Sequence, residues 1–200
     1  KPLCTAVMEV AGRIDADGHI TAPLAIDTDA LHAHRKAGID AVAIVLIHGP
    51  LHPATENQAA QICAEAGFST ISVGHQIAPS RGFLARLQTT LADAALSPLL
   101  PRTPGLYMRS DGGLSTPEEW SGSQAILSGP AGGVVATAQI AKAAGVRAAF
   151  GLDMGGTSTD VCRFEGTVER RDHIEIGGLK LRVPSLALET IAAGGGSVLA

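Results

Sequence analysis

The chain has 200 residues, 46% hydrophobic and 17% charged, with a formal net charge of −4 and a mean hydropathy of +0.23. That length holds one ample core or two small ones, the balance excludes disorder, and scattered Lys and Arg argue against nucleic acid as a partner. There is no run of about 18 apolar residues and no basic-then-apolar leader, so no membrane partner is expected and a cytoplasmic location is.

Cys4, Cys63 and Cys162 are far apart and form no CxxC pair, so they read as small core residues in a reducing compartment. The chain opens at Lys1 without a methionine and closes at Ala200 just after a glycine run, which suggests a piece of something longer.

In chain order, TAVMEVAGRIDADGHITAPLAI alternates around an Asp-Gly pair and predicts a hairpin. TDALHAHRKAG, with Thr28 and Asp29 at its start and Gly38 at its stop, predicts a short helix. AVAIVLIHG is a continuous apolar run of the kind a strand buried on both faces needs. PATENQAAQICAEAG predicts a helix with Thr55 as N-cap and Ala60, Cys63 and Ala64 on one face, and FSTISVG a strand after it. That strand–helix–strand order predicts an α/β layered sheet. Residues 79–100 favour helix, ended by Pro98 and Pro101. PGLYMRSDGG reads as a strand running into a polar turn, and SGPAGGVVATAQIAKAAG as a glycine-rich entry to a helix with Val134, Ala138 and Ala141 at helical spacing. AAFGLD reads as a buried strand, TDVCRFEG as its hairpin partner, and the remainder as short β segments.

The turn between those two strands, Asp153-Met-Gly-Gly-Thr-Ser-Thr-Asp160, carries the chemistry. Gly155 and Gly156 let another group approach the backbone closely, and successive free amides in such a turn form an anion nest. Thr157, Ser158 and Thr159 add hydroxyl donors, and an aspartate at each end suits a hydrated Mg²⁺ beside phosphate oxygens. The alternative is an ordinary Gly-Gly hairpin with surface hydroxyls. Against it stands Asp153, which directly follows the apolar run and needs a partner if buried there.

Ser128-Gly-Pro-Ala-Gly-Gly133 opens a helix, with Ser128 as the expected N-cap and Pro130 suited to the first turn. Its free amides make an anion site; equally, its small residues let the helix pack closely. In Arg109-Ser-Asp-Gly-Gly113, Arg109 can meet a substrate carboxylate or pair with Asp111, the commoner outcome. Ala193–Ser197 either lines the same cleft or forms a flexible tail. His48 and His52 lack a third metal ligand, so capping or solvent roles are expected, and Trp120 and Tyr107 read as packing residues.

The pattern D-x-G-G-T-x-T-D after an apolar strand resembles a phosphate loop of the actin, hexokinase and Hsp70 superfamily. With LSGPAGGVV before it and IAAGGGS after it, the chain resembles the hydantoinase/oxoprolinase family. MRSDGGL followed by WSGSQAILSGPAGGVV is most similar to the 5-oxoprolinase branch, and EVAGRIDADG and AIVLIHG leading to HPATE are similar to the family's preceding region.

The resemblance implies an α/β fold of the actin/Hsp70/hexokinase-like (ribonuclease H-like) ATPase type, a partial one with a mixed sheet and flanking helices. Residues 1–80 are then the end of an N-terminal region, and 81–200 the start of an ATPase region carrying the second phosphate loop. It implies ATP and Mg²⁺ as cofactors, and the opening of the lactam of 5-oxoproline to glutamate through phosphorylation of its carbonyl. The implied partners are a small cyclic amide substrate, the rest of the same chain, a hydantoinase B-like domain or subunit, and further copies of the parent. Asp153 and Asp160 become the catalytic candidates, with Asp153 at the metal. Gly155, Gly156, Thr157, Ser158, Thr159, Gly132 and Gly133 fall to the nucleotide, and Arg109, Ser110 and Asp111 to the substrate.

The family carries an earlier turn of the D-x-G-G-T type, and none precedes Asp153 here, so weak or absent binding of Mg-ATP is expected of the 200 residues alone. The competing readings are a hydantoinase or ATP-driven ketone carboxylase of the same family, and an actin-like ATP switch. A DxDxT phosphatase ranks low because Gly155 stands where its second aspartate belongs.

Overall fold

The computed structural model describes residues 3–15, 17–80 and 82–198, so Lys1 and Ala200 lie outside the described residues. The chain forms two compact units, one of Lys1–Leu100, Ser121–Ser123 and Glu175–Arg182, the other of Pro101–Trp120, Gln124–Ile174 and Val183–Ala200.

In the first unit, β1 (Ala11–Ile14) and β2 (Ile20–Ala25) pair antiparallel, as the alternation predicts, with Gly18 at φ 90° in their turn. The next helix, α1 (Thr28–Lys36), is capped one residue earlier than expected, where the Asp27 carboxylate accepts the Ala30 amide at 3.0 Å. Strand β3 (Ala41–Ile44), helix α2 (Pro53–Glu65) and strand β4 (Thr70–Val73) make a parallel crossover, in register from Ala41↔Thr70 to Ile44↔Val73. Two expectations are corrected. The first residue of α2 is Pro53, which tolerates the missing N–H there, so His52 and not Thr55 precedes the helix. Strand β3 is buried only at Ile44, because it has a single strand neighbour. Leu31, Ile44, Ala59, Cys63 and Phe68 form the core, and burial pushes the Cys63 thiol pKa up. On α2, Ala59 takes the inward place expected of Ala64, which is exposed.

After β4 come a single turn, α3 (Gly74–Ile77), and then α4 (Phe83–Leu96), which runs into a 3₁₀ turn at Ser97–Leu99 containing Pro98. Past the carboxyl ends of β3 and β4 lies a sealed polar cluster. Glu56, with no exposed surface, accepts the Leu46 amide at 2.8 Å and the His75 amide at 2.7 Å, and meets His75 Nδ1 at 2.8 Å. Arg86, 1% exposed, donates to the Leu46 and Ile47 carbonyls. Gly74 leaves room for them, since a Cβ there would stand 3.2 Å from Glu56 Oε1. A second buried carboxylate, Asp93, accepts the Ser72 hydroxyl at 2.7 Å and the Ser123 amide at 2.8 Å.

The second unit begins with β5 (Tyr107–Met108) and β6 (Leu114–Ser115), paired around a turn with Gly112 at φ 79°. Trp120 is buried and stacks on Tyr107 with ring centroids 4.5 Å apart, a packing role. A short turn, α5 (Gly122–Ala125), precedes the 16-residue helix α6 (Ser128–Ala143). There follow in the chain β7 (Ala148–Met154), β8 (Thr159–Glu165), β9 (Thr167–Val168), β10 (Arg170–Arg171), β11 (Ile174–Ile176), β12 (Leu179–Leu181), β13 (Ser185–Leu186) and β14 (Glu189–Ile191), of which β12 and all of β11 but Ile174 belong to the first unit. The main sheet has the order β14–β8–β7, and β9 folds back on β8.

Helix α6 packs on one face of this sheet through Ala131, Val134, Ala138 and Ala141, against Cys162, Phe164, Leu186 and Leu188. The closest approach is at Gly151, where a Cβ would run into the Thr137 hydroxyl and lie 2.6 Å from Cys162 Sγ. Strand β7 is not the buried strand its apolar run predicts. Among the described residues it has one strand neighbour, and Phe150, Leu152 and Met154 are 77%, 69% and 62% exposed on the face opposite α6. Among the described residues no helix is long and apolar enough to cross a membrane.

Candidate functional site

The site is built within the second unit from two glycine turns, three strands and the start of α6. Antiparallel register sets Asp153 of β7 directly opposite Asp160 of β8, and Asp160 opposite Thr190 of β14. Directly opposed residues share a face, so the two carboxylates and the hydroxyl form a row across the sheet. The row lies on the α6 side. The place a Cβ would take on Gly133 is 3.8 Å from Asp153 Oδ2. Asp153 is exposed and Asp160 half-buried, so solvation replaces the buried partner that the sequence led us to expect for Asp153.

Between the aspartates the chain turns through Gly155, Gly156 and Thr157, all exposed, and closes with the Gly155 amide donating to the Ser158 carbonyl at 2.9 Å. Among the described residues, the amides of Gly156 and Thr157 have no hydrogen-bond acceptor. The run at Ala193–Ser197 is no loose tail. The amides of Gly195 and Gly196 donate to the carbonyls of Gly155 and Gly156, each at 2.9 Å, and the Thr159 hydroxyl donates to the Ala193 carbonyl at 2.6 Å. Gly194 lies so close that a Cβ there would be 2.5 Å from the Gly155 oxygen. Glycine is required by this contact. Thr159 is thereby committed to the second loop, while Thr157 stays open to solvent.

Helix α6 starts at Ser128 rather than after it. Leu127 stands at the N-cap and no side chain caps the first amides, which have no partner inside the helix. Pro130 of its first turn and Gly133 of its second stand beside the carboxylate row, and a Cβ on Gly132 would meet open space. A shallow pocket at this junction is lined by Pro130, Gly133, Thr137, Asp153, Asp160 and Cys162, among others.

Arg109, Ser110 and Asp111 do not line that pocket. Arg109 makes a two-pronged pair with Asp111, Nε–Oδ1 at 3.1 Å and Nη2–Oδ2 at 2.9 Å. Ser110, 1% exposed, donates to the Gln124 carbonyl at 2.7 Å and accepts the Leu127 amide at 3.0 Å. Together they tie the β5–β6 turn to the segment that leads into α6. In the first unit, His48 is exposed and His52 rests its ring against Gly18. Asp15, Asp17 and His19 gather in the neighbouring turn, where Asp15 accepts the amides of Asp17 and His19 at 3.0 and 2.8 Å. These bonds, the His19 one foremost, hold the Asp15 carboxyl below its ordinary range. Sequence reasoning missed Thr190, whose hydroxyl donates to Asp160 Oδ1 at 2.7 Å. Nothing in a lone threonine between Glu189 and Ile191 signals a partner thirty residues back.

Two oxygen ligands side by side, both accessible, fit a Mg²⁺ that keeps most of its water; the exposed amides and the helix end fit phosphate oxygens.

The profile of the Hydantoinase/oxoprolinase family matches residues 86–200, and that of the Hydantoinase/oxoprolinase N-terminal region matches residues 1–67. The chain is 36% identical over 178 residues to 5-oxoprolinase 1 of Arabidopsis thaliana, a match covering 81% of this chain and 14% of that protein. It is 31% identical over 213 residues to caprolactamase subunit alpha of Pseudomonas jessenii, covering 94% of this chain and 30% of that one. Among solved structures, the ATP-dependent caprolactamase of Pseudomonas jessenii matches with a TM-score of 0.76 and 29% identity, over 94% of this chain and 30% of that one. The nucleotide-free acetone carboxylase shares the fold, with a TM-score of 0.76 at 23% identity over 92% of this chain and 29% of its own. The order of the motifs, the mixed α/β architecture and these matches agree: the chain belongs to the hydantoinase/oxoprolinase family.

Proposed function

We propose that this chain supplies one phosphate-binding wall of an ATP-dependent enzyme that opens a cyclic amide, 5-oxoproline foremost. The carrying observation is the pair of interlocked glycine turns, which present open amides beside two carboxylates in register. The identity of 36% to 5-oxoprolinase 1 against 31% to caprolactamase subunit alpha favours 5-oxoproline. We also take the fold to be of the actin-like ATPase type, with residues 81–200 opening the ATPase region.

In this reading the amides of Gly156 and Thr157 and the Thr157 hydroxyl bind phosphate oxygens, and the start of α6 at Gly132 and Gly133 adds the positive end of its dipole. Ser158 and Thr159 shape the turn. Asp153 holds water of a hydrated cation and Asp160 braces the row beside it. Bound Mg²⁺ would neutralise charge on the phosphates as the γ-phosphoryl group moves to the lactam oxygen. Phosphorylation makes the lactam carbonyl, a poor electrophile, open to water. The buried Ser110 ties its turn to the segment before α6, and Arg109, already paired with Asp111, stands with Ser110 as the weaker candidate for a substrate carboxylate. The rest of the polypeptide completes the clamp, and a second subunit, as the name of the caprolactamase relative suggests for that enzyme, completes hydrolysis.

The test is D153A in the full-length protein. ATP turnover driven by 5-oxoproline should fall by about 100-fold or more; turnover near wild type rejects the assignment. A panel of 5-oxoproline, hydantoin, caprolactam and acetone with bicarbonate decides the substrate. The structural likeness to acetone carboxylase makes the ketone the reading to beat.

A further inference from the structure

We propose that Thr190 is a positioning residue for Asp160, an inference that rests on the cation reading above. The hydroxyl donates to Asp160 Oδ1 at 2.7 Å, and Oδ2 has no hydrogen-bond donor among the described residues. Asp160 lies between Asp153 and Thr190 in a row across β7, β8 and β14. Two like charges in directly opposed positions repel, so an unheld Asp160 swings away from Asp153. A donor on the third strand keeps it in the row and leaves one oxygen for the cation's water shell. Threonine suits the task because its branched Cβ leaves χ1 little freedom, so the hydroxyl is aimed before the partner arrives.

The strand that carries Thr190 is itself fixed. Ile191 pairs with Thr159, the Ala193 carbonyl takes the Thr159 hydroxyl, and Gly195 and Gly196 bind the bend. Strand β14 therefore sets the phosphate turn and the middle carboxylate together. An ordinary cross-strand pair would stabilise β14 and nothing else, and the experiment separates the two.

In the full-length protein, Mn²⁺ in place of Mg²⁺ is titrated with ATP present, and free Mn²⁺ is followed by electron paramagnetic resonance. T190V should weaken Mn²⁺ binding roughly tenfold, and T190S, which keeps the hydroxyl, should stay within about twofold of wild type. Added to D160N, T190V should cause no further loss, because its action runs through that carboxylate. Thermal unfolding of each variant is recorded in parallel. A T190V protein that binds Mn²⁺ like wild type while D160N does not overturns the proposal, even if its unfolding temperature drops. So does a T190V effect that appears in full on top of D160N. If D160N itself binds Mn²⁺ normally, the role of Thr190 through Asp160 is overturned, whereas normal Mn²⁺ binding by D153A overturns the cation reading itself.

Discussion

Glu56 and Arg86 meet no solvent, and each leans on backbone at the carboxyl ends of β3 and β4. Burial lowers the Arg86 pKa, and the Glu56 charge works against that, so the carboxylate keeps the guanidinium tolerable inside. E56Q preserves the shape and removes the charge. In the amide, one of the two oxygens that accept the Leu46 and His75 amides becomes a donor, which costs about 1–3 kcal/mol. Urea unfolding should register that loss; an unchanged midpoint would show that the amide serves as well and that charge is incidental. At the same scale, D153A and T190V should leave the unfolding midpoint close to wild type, since Asp153 and Thr190 are exposed. The Glu56 cluster was not legible in the sequence. PATENQ reads as the start of a helix, and neither His75 nor Arg86 stands at a spacing that betrays a partner.

Among elements, the junction of the bend at Gly155–Gly156 with the loop at Gly194–Gly196 is the most demanding contact. G194A must push a methyl against the Gly155 oxygen, which is backbone and cannot swing aside. Overpacking of this sort costs about 1–3 kcal/mol. The expected result in the full-length protein is a variant that folds but has lost affinity for Mg-ATP in calorimetry; wild-type affinity would mean that nucleotide binding does not depend on this contact. Much at this scale was legible. The Asp-Gly hairpin, the crossover of β3 and β4, and the long helix that SGPAGG opens all follow from periodicity and turn residues. The burial of β7 did not, because an apolar run shows that a strand wants cover and is silent on which side receives it. The cap of α6 also slipped by one residue, since Ser128 can begin a helix as readily as precede one.

For the whole molecule, the family was legible because the glycine runs and the acidic turn stand in a fixed order along the chain. The pairing of loops some forty residues apart was not, because such contacts leave no periodic trace. Phe150, Leu152 and Met154 line up on one face of an edge strand in a chain that spans 14% of the Arabidopsis relative. A flat apolar edge of this kind invites strand-to-strand association. Static light scattering should show the 200-residue chain self-associating as concentration rises, and L152K should reduce it. Equal scattering from both would place the sticky surface elsewhere.

The stitching of Gly195 and Gly196 to the bend also imposes a timetable on biosynthesis. Chains fold as they emerge from the ribosome, amino end first. The acidic turn emerges some forty residues ahead of Gly195 and Gly196 and stays unlatched until they follow. A nascent chain therefore passes through a stage in which β7 and β8 can pair while the bend between them still lacks its second loop.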